Sequence, residues 1–201
     1  MKTIDLKKTL KPFYSASASK PVLLVVPAMN ALMVDGQGSP EAPAYQEAVG
    51  SLYSVAYTLK FAFKKDKAVD YPVMALESLW WADDISDFME GRTQNWKWTA
   101  LIMQPDIITP ELVELARADL IKKKNPAAAS KIRFESYHEG LSAQIMYFGP
   151  YADEGPTIQR LHDFIHESGH QLRGKHHEIY LSDPRRTAPE KLKTVIRQPM
   201  K

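Results

Sequence analysis

The sequence of 201 residues contains no cysteine, which excludes a disulfide framework and thiol chemistry. It also lacks a strong charge of one sign, because 26 Lys and Arg residues are balanced by 24 Asp and Glu residues. The longest basic run, Lys122–Lys124, is too short for the footprint of a nucleic-acid-binding surface. These absences predict a cytoplasmic protein that has no nucleic-acid partner.

Long apolar runs are missing as well. The basic N-terminus is followed only by the short run "LLVV" (23–26), which is too short for the core of a signal peptide, and no segment approaches the length of a membrane span. Apolar residues nevertheless make up 44% of the chain, which is enough to bury a sizeable core. We therefore expect a soluble domain with no membrane partner.

The first half of the chain shows the periodicities of one helix and three strands. A buried strand is expected over 21–34, interrupted near Pro27 and followed by the turn "DGQGSP". Apolar residues at helical spacing predict an amphipathic helix over 44–65. Two strand-like segments follow at 71–81 and 96–105. The first half therefore has the order strand, helix, strand, strand.

The second half repeats this order. Thr109 and Pro110 begin a helix that runs to about residue 123. Beyond it we expect a strand, a helix and two strands at 141–151, 156–168, 176–184 and 191–199. The matched order predicts an α+β fold built from duplicated βαββ units, with the 109–123 helix bridging the two copies.

The segment "HESGH" (166–170) has the H-E-x-x-H spacing of zinc peptidases. In such enzymes both histidines lie on one ordered helix. Here Ser168 and Gly169 are a helix stop, and Arg173 stands where the extended zinc motif has glycine. We therefore predict that the helix ends here and that there is no metal site.

The strand at 176–184 carries a more informative pattern. Its alternation places His177, Ile179 and Leu181 on one face, which suits packing under a helix, and His176, Glu178, Tyr180 and Ser182 on the other. A carboxylate beside a phenol indicates a ligand site, while a solvated sheet face is the alternative.

Several stretches resemble the standalone GyrI-like small-molecule-binding proteins, relatives of the effector-binding domains of multidrug-sensing regulators (the AraC effector-binding-domain superfamily). They are "VPAMNALMVDGQGSP", "MALESLWW", "YFGPYADEGPTIQRLHDFI" and, most specifically, "GKHHEIYLSDPRRTAPEKLKTVIRQP". The resemblance implies SHS2-type βαββ units related by a pseudo-twofold axis, with a groove between the halves. No DNA-binding helix-turn-helix is expected ahead of the domain.

The resemblance also implies a domain division. Residues 1–20 would be an extension and 21–201 the GyrI-like domain. Within the domain, repeat one would span about 21–105, the bridging helix about 109–123 and repeat two about 131–201.

In related multidrug-binding domains an acidic residue lies among aromatic side chains, and Glu178 is the best-placed candidate. Glu154 and Glu77 are further candidates, although an N-terminal helix position explains the first and an edge-strand charge the second. Tyr147 is a candidate hydrogen-bond donor. The remaining candidate ligand-binding residues are Trp80, Trp81, Trp98, Tyr137, Phe148, His176 and Tyr180, and core packing is the alternative for each aromatic residue.

The sequence is similar to a GyrI-like subfamily, the cyclopropanoid cyclohydrolases, which hydrolyse cyclopropane-bearing DNA-alkylating compounds in an aromatic cage. The resemblance implies xenobiotic detoxification, with a flat aromatic ligand, cationic ligands included, and no cofactor. Glu178 would activate water, with Glu154 or Glu77 as the second acid, and Tyr147 or Tyr180 would hydrogen-bond the developing phenolate. The alternative is a multidrug-binding protein that sequesters its ligand without changing it.

Overall fold

The computed structural model describes residues 2–84 and 86–201. Within these residues the chain forms eight strands and five α-helices, joined by short 3-10 turns. In chain order they are β1 (Lys2–Thr3), α1 (Leu6–Thr9), β2 (Val22–Gln37), α2 (Pro43–Asp66), β3 (Val69–Asp70), β4 (Leu76–Trp81), α3 (Ser86–Met89), β5 (Lys97–Met103), α4 (Pro110–Lys124), β6 (Arg133–Phe148), α5 (Gly155–Glu167), β7 (His176–Tyr180) and β8 (Lys193–Pro199). Apart from the short pieces β1, α1, β3 and α3, this order is βαββ twice with α4 between, which confirms the predicted α+β duplication.

The chain divides into two compact units, each built from several segments. The first unit takes in the residues up to Thr9, Met29–Leu76 and Trp80–Tyr137. The second takes in Leu10–Ala28, Glu77–Leu79 and His138–Lys201. Residues far apart in sequence therefore share one unit.

In the first unit, helix α2 packs on β5, which pairs antiparallel with β2. The register runs from Ala31 opposite Met103 to Gln37 opposite Lys97. Gly36 lies directly under the ring of Trp98, where an added Cβ would stand 2.1 Å from a ring carbon. The residue must therefore be glycine if the Trp98 ring is to stay buried against the strand. The short strands β1 and β3 pair in parallel in the same unit.

In the second unit, β8 lies between β6 and β7, and both pairings are antiparallel. Leu161 and Ile165 of α5 pack against Ile145 of β6 and Ile196 of β8. These residues form an apolar core between helix and sheet, and burial of such side chains stabilises the fold by about 1.5–3 kcal/mol each. The packing holds α5 over the sheet.

Several predicted strand boundaries are wrong. Strand β2 continues through Pro27 without interruption and includes residues 35–37, which pair with β5 instead of turning. A proline removes one ladder donor, which a strand tolerates where that donor is not needed. Strand β4 begins at Leu76 and not at 71, and β6 begins at Arg133, eight residues before the predicted start.

The helix boundaries agree closely with the prediction. Helix α2 begins at Pro43, and α4 begins at Pro110 after Thr109 at the N-cap position. Helix α5 ends at Glu167, and Gly169 follows with φ +81°, which confirms the predicted stop within "HESGH". Of the helices in the described part of the chain, none combines the length and the apolar character that crossing a membrane requires.

Candidate functional site

The candidate site is built on one face of the β6–β8–β7 sheet of the second unit. Tyr147 of β6 and Tyr180 of β7 both pair with Thr194 of β8, so these three side chains lie in a row across the sheet. Glu178 is two residues from Tyr180 and shares its face. The strand alternation predicted from the sequence therefore brings Glu178, His176 and Tyr180 together.

Helix α5 covers the face of β7 that carries Glu178, which was expected to be free of a helix. Glu178 pairs directly with Ile196, and Ile196 packs against α5, so α5 lies on the Glu178 side. The prediction that the His177 face packs under a helix is wrong. Alternation shows which residues share a face, but it does not show which face meets the helix.

Both oxygens of Glu178 have partners on its own strand. The Tyr180 hydroxyl donates to Oε2 at 2.7 Å, and Nε2 of His176 lies 3.1 Å from Oε1. The side chain of Glu178 is only 15% exposed. The carboxylate is therefore held in one orientation at the edge of the site.

Glu154 is the second carboxyl group of the site. It occupies the N-cap position of α5 but makes no side-chain capping hydrogen bond, and it is 3% exposed. Its Oε1 is buried without a hydrogen-bond partner among the described residues. Burial and then the charge of Glu178 raise the pKa of Glu154 to about 9, against a smaller opposing effect of Thr194. Stabilisation by the helix dipole would lower this pKa, so it does not explain the position of Glu154.

Two tyrosines complete the surroundings of this carboxylate pair, Glu154 and Glu178. The Tyr151 ring packs edge-on against that of Tyr180, with centroids 5.5 Å apart. Burial, followed by the charges of Glu154 and Glu178, raises the pKa of Tyr151 to about 12. Tyr151 is not among the residues predicted for the site, and its place after the aromatic pair in "YFGPY" was the available signal.

The Tyr147 hydroxyl is committed to the backbone. It donates to the Pro150 carbonyl at 2.9 Å, and burial raises its pKa, with smaller contributions from Asp153 and Glu154. Gly149 makes this contact possible, because it has φ +142° and an added Cβ would lie 2.5 Å from the Tyr147 hydroxyl. Tyr147 therefore anchors the turn that leads into α5.

The other candidate residues lie elsewhere. In the first unit, Trp80 and Trp98 are buried against Tyr45, with ring centroids 5.3 and 5.1 Å from it, while Trp81 and Tyr137 are half-buried. In the second unit, Phe148 is half-exposed beneath the Lys193 ammonium group. Their assignment as ligand-binding residues stays a prediction.

Glu77 belongs to a different group of side chains in the second unit. It is 2% exposed, so a solvated edge-strand charge is the wrong interpretation. The Tyr14 hydroxyl donates to its Oε1 at 2.5 Å, and His177 Nε2 lies 3.0 Å from its Oε2. Nδ1 of His177 lies 2.8 Å from Glu139, which also pairs with Arg197 at 2.9 Å.

Charge balance explains how this buried group is tolerated. Burial alone would lower the pKa of His177, but Glu139 and Glu77 outweigh it and raise the pKa to about 9. Burial would raise the pKa of Glu139, but His177 and Arg197 lower it to about 2. The two carboxylates therefore face two cations. The strand alternation predicts His177 as a packing residue and does not indicate this network.

The described part of the chain has no metal cluster beside the carboxylate pair or the buried network around His177. Among residues 2–84 and 86–201, no three His, Asp or Glu side chains are arranged to hold a metal ion. On α5, His162 is half-buried and His166 is exposed.

The duplicated α+β fold defines the class of domain, and comparison with known families supplies the family. The model of the GyrI-like small molecule binding domain matches residues 19–201, so the chain belongs to the GyrI-like family. No curated protein is significantly similar to it in sequence.

Solved structures agree with this family. A conserved protein from Listeria innocua is 40% identical with a TM-score of 0.89, over 98% of this chain and all of that one. A hydrolase from Listeria innocua is 39% identical with a TM-score of 0.86, over the same shares of the two chains. The C-terminal domain of EcmrR, 11% identical with a TM-score of 0.58 over 90% of this chain and 97% of that one, shares the fold alone.

Proposed function

We propose that this protein binds flat aromatic compounds at the carboxylate pair and hydrolyses cyclopropane-bearing DNA-alkylating compounds by adding water to the strained ring. The observation that carries the proposal is the burial of the Glu154 carboxyl group beside Glu178, because burial and the charge of Glu178 raise the pKa of Glu154 to about 9 and favour its protonated form at pH 7. Two carboxyl groups whose surroundings separate their protonation states make a general acid and a general base. The chain is 39% identical to a protein described as a hydrolase over the whole length of that protein, and this similarity supports a catalytic function.

The reaction divides between the two groups. Glu178 accepts a proton from water, whose oxygen forms a bond to the ring methylene carbon. The ring C–C bond breaks, and its electron pair passes into the conjugated carbonyl to give a phenolate. Glu154 donates its proton to the phenolate oxygen. The product is therefore the substrate plus one water. Return of the proton from Glu178 to Glu154 through solvent restores the pair.

The hydrogen bonds around Glu178 are compatible with the base role. A carboxylate offers about four lone-pair directions, and Tyr180 and His176 occupy one on each oxygen. One direction on each oxygen is left for water. The two neighbours hold the carboxylate in position, which matters because small misplacements of a reacting group can reduce the rate by about 100-fold.

Glu154 replaces tyrosine as the proposed donor to the phenolate. The hydroxyl protons of Tyr147 and Tyr180 are already donated to Pro150 and Glu178. Among the residues that the structure describes, none is a partner of the Glu154 Oε1 atom, and a protonated carboxyl group there has a proton to give. We assign Tyr151 and Tyr180 to the aromatic wall against which a flat ligand stacks.

Sequestration is the second candidate function. Aromatic rings beside a carboxylate attract a flat cation whether or not it is transformed. Under this alternative Glu178 contributes charge alone, and the protonation state of Glu154 has no role.

Counting turnovers separates the two functions. A cyclopropane-containing alkylator is incubated with a small fraction of an equivalent of protein, and the hydrated product is measured by chromatography against a no-protein control. We expect many product molecules per protein, and a loss of about 100-fold or more in Glu178→Gln or Glu154→Gln. Glu167→Gln, at the exposed end of α5, is the matched control and should keep full activity. Product equal to the no-protein control, with the ligand still bound, would leave sequestration as the function.

A further inference from the structure

The segment of residues 10–19, which we call the strap, belongs to the second unit. Its residues are exposed or half-buried, although the hydroxyl end of Tyr14 is buried against Glu77. The strap is attached mainly through its backbone carbonyls, since Gln144 Nε2 donates to those of Pro12 and Ser15 at 2.8 and 3.1 Å and Arg197 donates to that of Phe13. Any chain with carbonyl groups at these places could make such contacts.

Tyr14 makes a side-chain contact that depends on its phenol group and therefore distinguishes this segment from other chains with backbone carbonyls. Its hydroxyl donates to Glu77 Oε1 at 2.5 Å, and burial, followed by the charge of Glu77, raises the pKa of this phenol. The phenol therefore stays protonated and remains a donor. A phenylalanine at this position would leave the Glu77 oxygen buried without a partner, which is costly.

The groups that hold the strap are arranged by contacts that do not involve it. Glu77 is held by His177 at 3.0 Å, and Arg197 is held by Glu139 at 2.9 Å and by Gln144 at 3.1 Å. Without the strap, one carboxylate oxygen and the donors of Gln144 and Arg197 would remain in place. The Glu77 oxygen can accept a hydrogen bond from a phenol hydroxyl, and Gln144 and Arg197 can donate to carbonyl groups on the same molecule.

We propose that Glu77, Gln144 and Arg197 form a second ligand site, specific for a phenol that carries a carbonyl group, and that Tyr14 and its strap occupy this site until such a ligand displaces them. The site is distinct from the carboxylate pair, because His177 and Glu178 are consecutive on β7 and point to opposite faces. It does not depend on the hydrolase activity.

The test uses two probes that differ by one hydroxyl group, N-acetyl-tyrosinamide and N-acetyl-phenylalaninamide. In Tyr14→Ala the internal phenol is gone, and N-acetyl-tyrosinamide well above its Kd should raise the Tm by about 3 °C. The phenylalanine probe should leave the Tm unchanged. Equal effects of the two probes, or no effect of either, would overturn the proposal. If Tyr14→Ala does not fold alone, the yield of refolding with each probe gives the same comparison.

Displacement is tested in the unaltered protein by hydrogen exchange. The Met146 amide donates to the Ser17 carbonyl at 2.9 Å, so its exchange reports release of the strap. At the concentration that protects Tyr14→Ala, N-acetyl-tyrosinamide should accelerate Met146 exchange severalfold, while the phenylalanine probe should not. Unchanged Met146 exchange would show that the strap is a fixed part of the fold and would overturn its displacement.

Discussion

Glu154 lies buried beside Glu178, and its environment favours the protonated carboxyl group. Burial has the larger effect and the charge of Glu178 the next, and together they raise the pKa of Glu154 to about 9. An acid that is neutral at pH 7 and a carboxylate then share one site, which is the arrangement that general acid–base catalysis requires. The proposed hydrolysis depends on this relationship.

The charge of Glu178 should be felt most by a cationic ligand. Glu178→Gln keeps an acceptor for the Tyr180 hydroxyl but removes the negative charge, so the Kd of a flat cationic dye should rise by about tenfold. Fluorescence titration with the cationic dye and a neutral analogue measures the effect, and the neutral dye should bind equally to both proteins. Equal loss of both dyes would indicate a damaged fold and not a lost charge.

Gly149 should be sensitive to alanine. An added Cβ would collide with the Tyr147 hydroxyl, and the backbone has φ +142°, so Gly149→Ala should reduce the free energy of unfolding by about 1–3 kcal/mol. The matched control is Gly50→Ala in α2, where a Cβ meets no atom of the described residues within 4 Å, and a gain of about 0.5–1 kcal/mol is expected. Denaturant unfolding of the two variants beside the unaltered protein checks the opposite signs.

The His177–Glu139 pair should make stability depend on pH in both directions. The pKa of Glu139 is lowered from 4.5 to about 2, so its contribution is complete above pH 4.5 and is lost as the pH falls towards 2. The pKa of His177 is raised from 6.5 to about 9, so its contribution is complete below pH 6.5 and is lost as the pH rises through 9. Denaturant unfolding between pH 2 and pH 10 should follow this curve.

A variant of Glu139 tests whether this carboxylate causes the loss of stability at low pH. Glu139→Gln leaves Arg197 and His177 with one buried carboxylate fewer and should cost about 3–5 kcal/mol at pH 6. The exposed Glu135 on the same strand is the control, and Glu135→Gln should change stability by less than about 1 kcal/mol. A flat acid side in the unaltered protein would contradict the charged network.

Sequence periodicity predicts the features of this fold that depend on interactions between neighbouring residues. The alternation of β7 predicts that His176, Glu178 and Tyr180 share a face, and Gly169 marks the helix stop, because both depend on neighbouring residues only. The burial of Glu154 depends on a helix packed over a distant sheet. Such packing leaves no periodic signal.

The buried network around His177 is another feature that sequence periodicity does not predict. His177 meets Glu139 from 38 positions away in sequence, and Glu77 meets Tyr14 from 63 positions away. A lone histidine among apolar residues was the only local sign of the network, and it was interpreted as packing. Long-range charge pairing has to be observed in the folded chain.

Direct titration of the Glu154 carboxyl group tests the central claim. Carbon NMR of the labelled side chain should give a pKa near 9 in the unaltered protein. In Glu178→Gln the pKa should fall, because one cause of the shift has been removed, but it should stay above the ordinary value of 4.5 because burial remains. A pKa near 4.5 in the unaltered protein would contradict the account, because Glu154 would then be a second carboxylate at pH 7 with no proton to donate.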